Sequence, residues 1–367
     1  MTVDISVIIP AYNAEKTIGR CLDSVLCQTP EIEIIAVDDC STDRTFDICK
    51  EYQSHHSNIT LFRNEKNIGQ GLSRNRGIES ASGEYLAFID SDDTVSKYMY
   101  GDMLSLAYRG GYDVVRCRFK RIYESMASRI EVSKRLNNIE EFHTPKEICE
   151  KILPQFVGFL PGESMEKRPP WSACTYLYKT AIVKNKNIRF ASERVLYSED
   201  MFFNLDILNN IESYISTDAE YYFYIDNPSS TVHRYNDPLA RCQKLVSFAE
   251  GKNQDIIKRV YLSVLNSLPE AATQLVYDSS IPWGEKKRIL KQLRKEPPFI
   301  TCFATYPIHE LQFYLRVFFV CAKHNFVTAE LLCAYINIFR MWIIKHFCWC
   351  RDIAHLNQAK RREENEQ

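Results

Sequence analysis

Residues 5–90 hold four short apolar runs, each closed by proline or polar residues, with stretches of helical periodicity between them. "ISVIIP" (Ile5 to Pro10) is apolar throughout and suits a strand buried on both faces. Ile18, Leu22, Val25 and Leu26 then recur at helical spacing, which predicts an amphipathic helix over Glu15 to Gln28. "EIIAVDD" (Glu33 to Asp39) is a second buried run, and Ser41 to Asp43 supply capping residues for a helix through "TFDICKEYQ". "ITLFRN", a helix over Gly71 to Ala81, and "EYLAFID" repeat the unit. Strands alternating with helices force right-handed crossovers, so the expected fold is α/β with a mostly parallel, doubly covered sheet.

That architecture states where a ligand goes, because open α/β sheets bind outside the carboxyl ends of their strands. Three strands end there in polar residues: Tyr12 and Asn13 after the first, Asp38 and Asp39 on the second, and Asp90-Ser91-Asp92-Asp93 on the fourth. Asp90 and Asp92 are two apart, so extended backbone would project them to one side. Such a pair suits Mg²⁺ or Mn²⁺, hard cations that prefer oxygen and are often shared with substrate phosphates. Tyr12 offers a face for stacking, Asp39 an acceptor for a base N–H, and Arg74 a fork matched to phosphate. Base, diphosphate and metal sites in one crevice describe a nucleotide-sugar pocket. Capping turns are the structural alternative at each position taken singly.

Composition excludes several classes. A net charge of -1 and no basic stripe interleaved with aromatics argue against nucleic acid. Thirteen cysteines include no C-x-x-C pair, and the close pair Cys348 and Cys350 lacks partners for zinc, so reduced thiols in a cytoplasmic protein are expected. "MTVDISVIIP" has no basic region before its apolar run, and no signal peptide is expected.

Taken in order, "VIIPAYN", "VDDCSTD", "NIGQGLSRNRG" and "GEYLAFIDSDD" resemble the nucleotide-binding half of family 2 glycosyltransferases with the GT-A fold. The resemblance covers about the first 120 residues. It implies that Pro10, Tyr12, Asn13 and Asp39 frame a uridine, that Arg74 lies by the nucleotide, and that Asp90-Ser91-Asp92 is a D-x-D metal motif. A second stretch, "PPWSACTYLYKTAIVKNKNIRFASERVLYSEDMFFNLDIL", is similar to the acceptor-side segment of bacterial capsule, O-antigen and exopolysaccharide transferases. Trp171 would lie by the acceptor, although the lysine usual after this tryptophan is missing and the spacing to Tyr178 is longer. Glu199-Asp200 read locally is a helix N-terminus with first-turn acids. By resemblance Asp200, with Glu199 beside it, is the base of an inverting enzyme. "YYFYIDNPSSTVHRYND" resembles the family's closing segment, where His233 and Arg234 are either within reach of diphosphate and metal or ordinary surface residues.

The resemblance therefore implies a hexosyl- or N-acetylhexosaminyltransferase that uses Mn²⁺ or Mg²⁺. Its donor would be a nucleotide-sugar, UDP foremost, and its acceptor a glycan or polyprenyl-linked glycan. Residues 1–240 would form the GT-A domain (1–120 for nucleotide, 121–240 for acceptor) and 241–367 a helical region. Two rivals stand beside it. "FIDSDDTV" also fits the first motif of haloacid-dehalogenase-type phosphatases, with Asp90 as nucleophile, but three strand–helix units precede it. A non-catalytic sugar-binding module would tolerate the fold without needing both acidic motifs. In 311–351 five basic residues and many aromatics accompany one acid, Glu330. The stretch reads as a buried helical pair or homo-oligomer contact, or as an interfacial helix on the inner face of the cell membrane carrying Phe339, Trp342, Phe347 and Trp349.

Overall fold

The computed structural model describes residues 3–123, 135–163, 169–226, 235–311, 313–324 and 326–336. Contacts divide the chain into two compact units, one of Met1–Phe159 with Glu163–Ser230, the other of Leu160–Gly162 with Thr231–Gln367.

The first unit is built on one sheet of nine strands among the described residues: β1 (Ile5–Ala11), β2 (Ile32–Asp38), β3 (Ile59–Arg63), β4 (Tyr85–Phe88), β5 (Thr94–Val95), β6 (Val114–Tyr123), β7 (Glu140–Phe142), β8 (Tyr176–Lys179) and β9 (Tyr214–Asp226). Their spatial order is β3-β2-β1-β4-β8-β6-β9-β5, with β7 on β9. The first four run parallel, joined by α1 (Ile18–Leu26), α2 (Thr45–His55) and α3 (Gln70–Ser80), as the alternating pattern predicts. A fourth helix, α4 (Met99–Gly110), leads into β6. β8 pairs antiparallel with both β4 and β6, which joins the acceptor-side segment directly to the first half of the sheet.

All seven residues of β1 are buried, and its proline explains how the crevice begins. The Ile8 carbonyl accepts from Ile89 N–H at 3.2 Å, so Pro10, two residues on, faces the same neighbour. β4 has ended at Phe88 by then, so no ladder bond is asked of an N–H that proline lacks.

The second unit is helical among its described residues, with helices Leu239–Ala249, Gln254–Tyr277, Trp283–Leu293, Pro297–Thr305 and Phe313–Lys323, and residues 327–336 also helical. Pro269, a residue that usually ends a helix, lies inside the Gln254–Tyr277 helix. Its missing N–H removes one bond of the helix, and a continuous buried face through Val264, Leu268, Ala272 and Leu275 carries the helix past it. Phe339, Trp342, Phe347 and Trp349 lie outside the described residues. No helix of the described residues is long and apolar enough to cross a membrane.

Candidate active site

The loops after β1 and β2 are laced together at the crevice. Asn13 (φ 50°) donates its N–H to Ser41 Oγ at 3.0 Å and accepts from Thr42 N–H at 2.9 Å. Tyr12 beside it is half exposed, with its face open to a ligand. Asp39 is buried, and its carboxylate accepts from Asn64 Nδ2 at 2.7 Å, Ile68 N–H at 2.9 Å and Gly69 N–H at 2.7 Å. A carboxylate offers about four acceptor positions. Asp39 therefore spends most of its capacity holding the turn into α3 and keeps about one position for a ligand.

The acidic stretch after β4 corrects one expectation. Asp90 to Asp93 is a turn, closed by Asp93 N–H to the Asp90 carbonyl at 3.0 Å, not extended backbone with period-two projection. Continuing the strand would carry three carboxylates within four residues along the buried end of a sheet, where like charges repel. Ser91 and Asp92 sit half-buried at the tip of this turn. Arg20 donates to the Asp92 carbonyl at 3.2 Å and Cys21 Sγ to the Asp90 carbonyl at 3.5 Å, so α1 supports the turn from beneath. Asp93 points inward. Its oxygens take the Tyr222 hydroxyl at 2.5 Å and Ile225 N–H at 2.8 Å, and burial, with Asp90 and Asp92 nearby, pushes its pKa up to about 8.

Arg74 is where the two acidic motifs meet. It is 0% exposed, and its terminal nitrogens are spent on carboxylates. Nη2 donates to Asp90 Oδ1 at 2.7 Å, and Nη1 donates to Asp200 Oδ1 at 2.8 Å and Glu199 Oε1 at 3.3 Å. The fork expected to face phosphate instead organises carboxylates. Its floor is aromatic: the guanidinium lies 5.2 Å from the Phe190 ring centre, and Phe190 stacks on Phe203 at 3.9 Å. Phe190 is the aromatic residue that follows "NIR" in the acceptor-side segment. Burial alone would lower the Arg74 pKa, but its carboxylate neighbours raise it well above the usual arginine range.

Glu199 and Asp200 open the helix Glu199–Leu208 behind Ser198, which holds a left-handed φ of 74°. They differ in environment. Glu199 is 6% exposed in its side chain and also accepts from Gln70 Nε2 at 2.7 Å; Asp200 is 18% exposed and accepts from Ala173 N–H at 3.0 Å. Burial raises both pKa values, Glu199 further through the Asp200 charge, while Arg74 opposes the rise at each. Asp200 is the more open acid, held at both oxygens. Half-buried Trp171 donates its indole N–H to the Phe156 carbonyl at 2.8 Å, and the segment it begins reaches Asp200 through Ala173. Pro10, Asp39, Arg74, Asp90, Ser91, Asp92, Glu199 and Asp200 all lie in the first unit, whereas His233 lies outside the described residues.

Two supports escaped the sequence reading. Gln70 was findable, since it stands one helical turn before Arg74 on the same face of α3. Tyr222 was not, because nothing in "YYFYID" marks which tyrosine reaches Asp93 from β9.

A turn of acids at the exit of β4 is tied through one arginine to an acidic pair on another element. The family described as "Glycosyl transferase family 2" matches residues 6–162. Over those residues the chain is similar to glycosyltransferase family 2. An uncharacterized glycosyltransferase of Bacillus subtilis, EpsJ, is 31% identical over 227 residues, which is 62% of this chain and 62% of that protein. An uncharacterized glycosyltransferase of Escherichia coli, YibD, is 27% identical over 309 residues, 82% of each. In fold, the crystal structure of S. aureus TarS 1-349 superposes with a TM-score of 0.61 at 22% identity, covering 92% of each chain, and the GT-A architecture follows. This chain spans under two thirds of the length of EpsJ.

Proposed function

We propose that this chain is a metal-dependent inverting glycosyltransferase that moves a sugar from a UDP-sugar to a hydroxyl of a glycan or lipid-linked glycan during cell-surface polysaccharide synthesis. The observation that carries the proposal is the single guanidinium of Arg74 shared by Asp90 and Asp200, which puts the donor turn and a candidate base one side chain apart. S. aureus TarS, similar in fold, is known in complex with UDP-GlcNAc and with UDP, and related curated proteins bear the name poly(ribitol-phosphate) beta-N-acetylglucosaminyltransferase.

A hard cation would draw its protein ligands from the turn after β4. Asp90 and Asp92 offer carboxylate oxygen on one partly open turn, with His233 as a further candidate, whereas Asp93 is committed to Tyr222 and Ile225. Bound Mn²⁺ or Mg²⁺ would offset the negative charge that accumulates on a departing nucleoside diphosphate. Tyr12 would stack on the base and Asp39 accept one N–H from it. Asp200 would take the proton of the acceptor hydroxyl as oxygen attacks the anomeric carbon, a contribution of roughly 10²–10⁴-fold for a positioned base. Its raised pKa strengthens it as a base while keeping it ionised only at higher pH, so activity should rise with pH through that value. One in-line displacement inverts the anomeric carbon.

Asp200→Asn keeps the size and one of the two accepted hydrogen bonds but cannot accept a proton. With a UDP-sugar, Mn²⁺ and a glycan acceptor, kcat should fall by about 10²-fold or more while donor affinity stays near parental. Near-parental turnover would remove Asp200 as the base, and product of retained configuration by NMR would remove the single displacement. Phosphate release from a phosphomonoester that depends on Asp90 would instead favour the phosphatase reading.

A further inference from the structure

The two helical stretches at the end of the described chain are apolar on the side that faces solvent. On the Phe313–Lys323 helix, Phe313 (77% exposed), Val317 and Val320 (52%) stand at spacings of four and three residues and so share one face, while Leu315, Phe318 and Phe319 are buried on the other. Residues 327–336 repeat the pattern: Leu332, Tyr335 and Ile336 are exposed, and Leu331 and Ala334 are buried. A helix that is hydrophobic all round normally has both faces covered. Single exposed apolar residues need no explanation, but two consecutive stripes do.

Charge selects what covers them. The second unit's residues 231–367 contain 20 Lys and Arg against 13 Asp and Glu, a balance of +7; residues 1–230 contain 26 against 34, a balance of -8. Within 311–336 the one acid is Glu330, which is 0% exposed and paired with Arg294 at 2.9 Å, so it offers nothing to the outer face. Arg316 stands exposed on the same stripe as Val317 and Val320. In a two-fold dimer this face would meet itself, with Arg316 near its own copy and no exposed acid of 311–336 to pair it. The chain's own residues 337–351, with Arg340, Lys345 and Arg351 and no acid, would pair it no better.

We infer that this face docks on an anionic lipid bilayer surface. The exposed stripes of Phe313–Lys323 and 327–336 enter the headgroup region, and Arg316 among them, in a unit of net positive charge, answers the surface charge. A contact made by exposed stripes of two helices that bury their other faces is interfacial and reversible. It would bring a catalytic unit to acceptors carried in the same surface, yet it requires neither donor nor acceptor. Its failure would leave the transferase reading standing.

The test is flotation of the purified full chain with phosphatidylcholine vesicles and with vesicles containing 30% phosphatidylglycerol, at low and high salt. Expected is binding to the anionic vesicles, much weaker binding to the neutral ones, and loss of most binding at high salt. The double variant Val317→Glu with Val320→Glu should lower anionic-vesicle binding at least tenfold and leave the melting temperature and donor affinity unchanged. Equal binding by parent and variant, or none by the parent, overturns the inference. A parental dimer by light scattering that this variant dissociates assigns the face to a second copy and overturns it. A large fall in melting temperature without vesicle binding assigns it to residues 337–367, with the same result.

Discussion

Replacing Arg74 with methionine keeps the length and apolar stem and deletes the charge. Three carboxylates, at 2.7, 2.8 and 3.3 Å from its nitrogens, would then crowd one buried volume. At roughly 4 Å between charge centres and an effective dielectric of about 20, each lost attraction is about 4 kcal/mol before solvation is counted. The net penalty is smaller, because a carboxylate can escape by taking a proton. Glu199 already stands near neutrality through burial and Asp200, so its protonation at pH 7 costs little. The remainder matches the loss typical of breaking a buried pair, about 3–5 kcal/mol. For a unit of this size that lowers the melting temperature by on the order of 10 °C. The sign with pH is fixed. In the variant the folded-state pKa values of Glu199 and Asp200 rise further above their unfolded values. Stability linked to a raised pKa is complete below the unfolded value and is lost as pH climbs through the folded one. The deficit should therefore be small near pH 5 and widen toward pH 8.5, measured by thermal melts of parent and variant in matched buffers. A deficit of the same size at every pH would refute the charge argument and leave Arg74 as a packing residue over Phe190.

Asp39→Asn should cost about 2–3 kcal/mol in urea unfolding, because an amide presents two donors where Asn64, Ile68 and Gly69 already donate. With a UDP-sugar it should raise KM with kcat largely kept, since the base lies away from the reacting carbon; a large fall in kcat would move Asp39 into the reaction centre. Gly71→Ala would set its new carbon 2.4 Å from the Ala191 carbonyl oxygen, a backbone atom that cannot swing aside. A loss of about 1–3 kcal/mol is expected, and a variant as stable as the parent would show that the 191–198 loop moves freely.

The alternation of strands and helices was legible because it is local: apolar runs and helical spacing announce β1 to β4 and α1 to α3 within a few residues. So was the ligand edge, since strand exits follow from the order of elements. The turn at Asp90–Asp93 was misread because a strand's period was carried two residues beyond Phe88, where backbone crowded with carboxylates turns away. Arg74 was singled out for phosphate because its real partners, Glu199 and Asp200, stand 125 and 126 residues away. Periodicity carries no information over such distances. Glu199-Asp200 divided evenly between cap and catalysis in the local pattern, and only the resemblance tipped it.

The shared guanidinium binds four positions on three separate stretches of chain into one unit. The stretch after Trp171 can drift or lengthen with local consequences. A change at Arg74 alone leaves three carboxylates without their common cation, whereas loss of one carboxylate leaves the arginine two partners. Substitution of the arginine should therefore go with loss of its carboxylates, while the acids can vary one at a time.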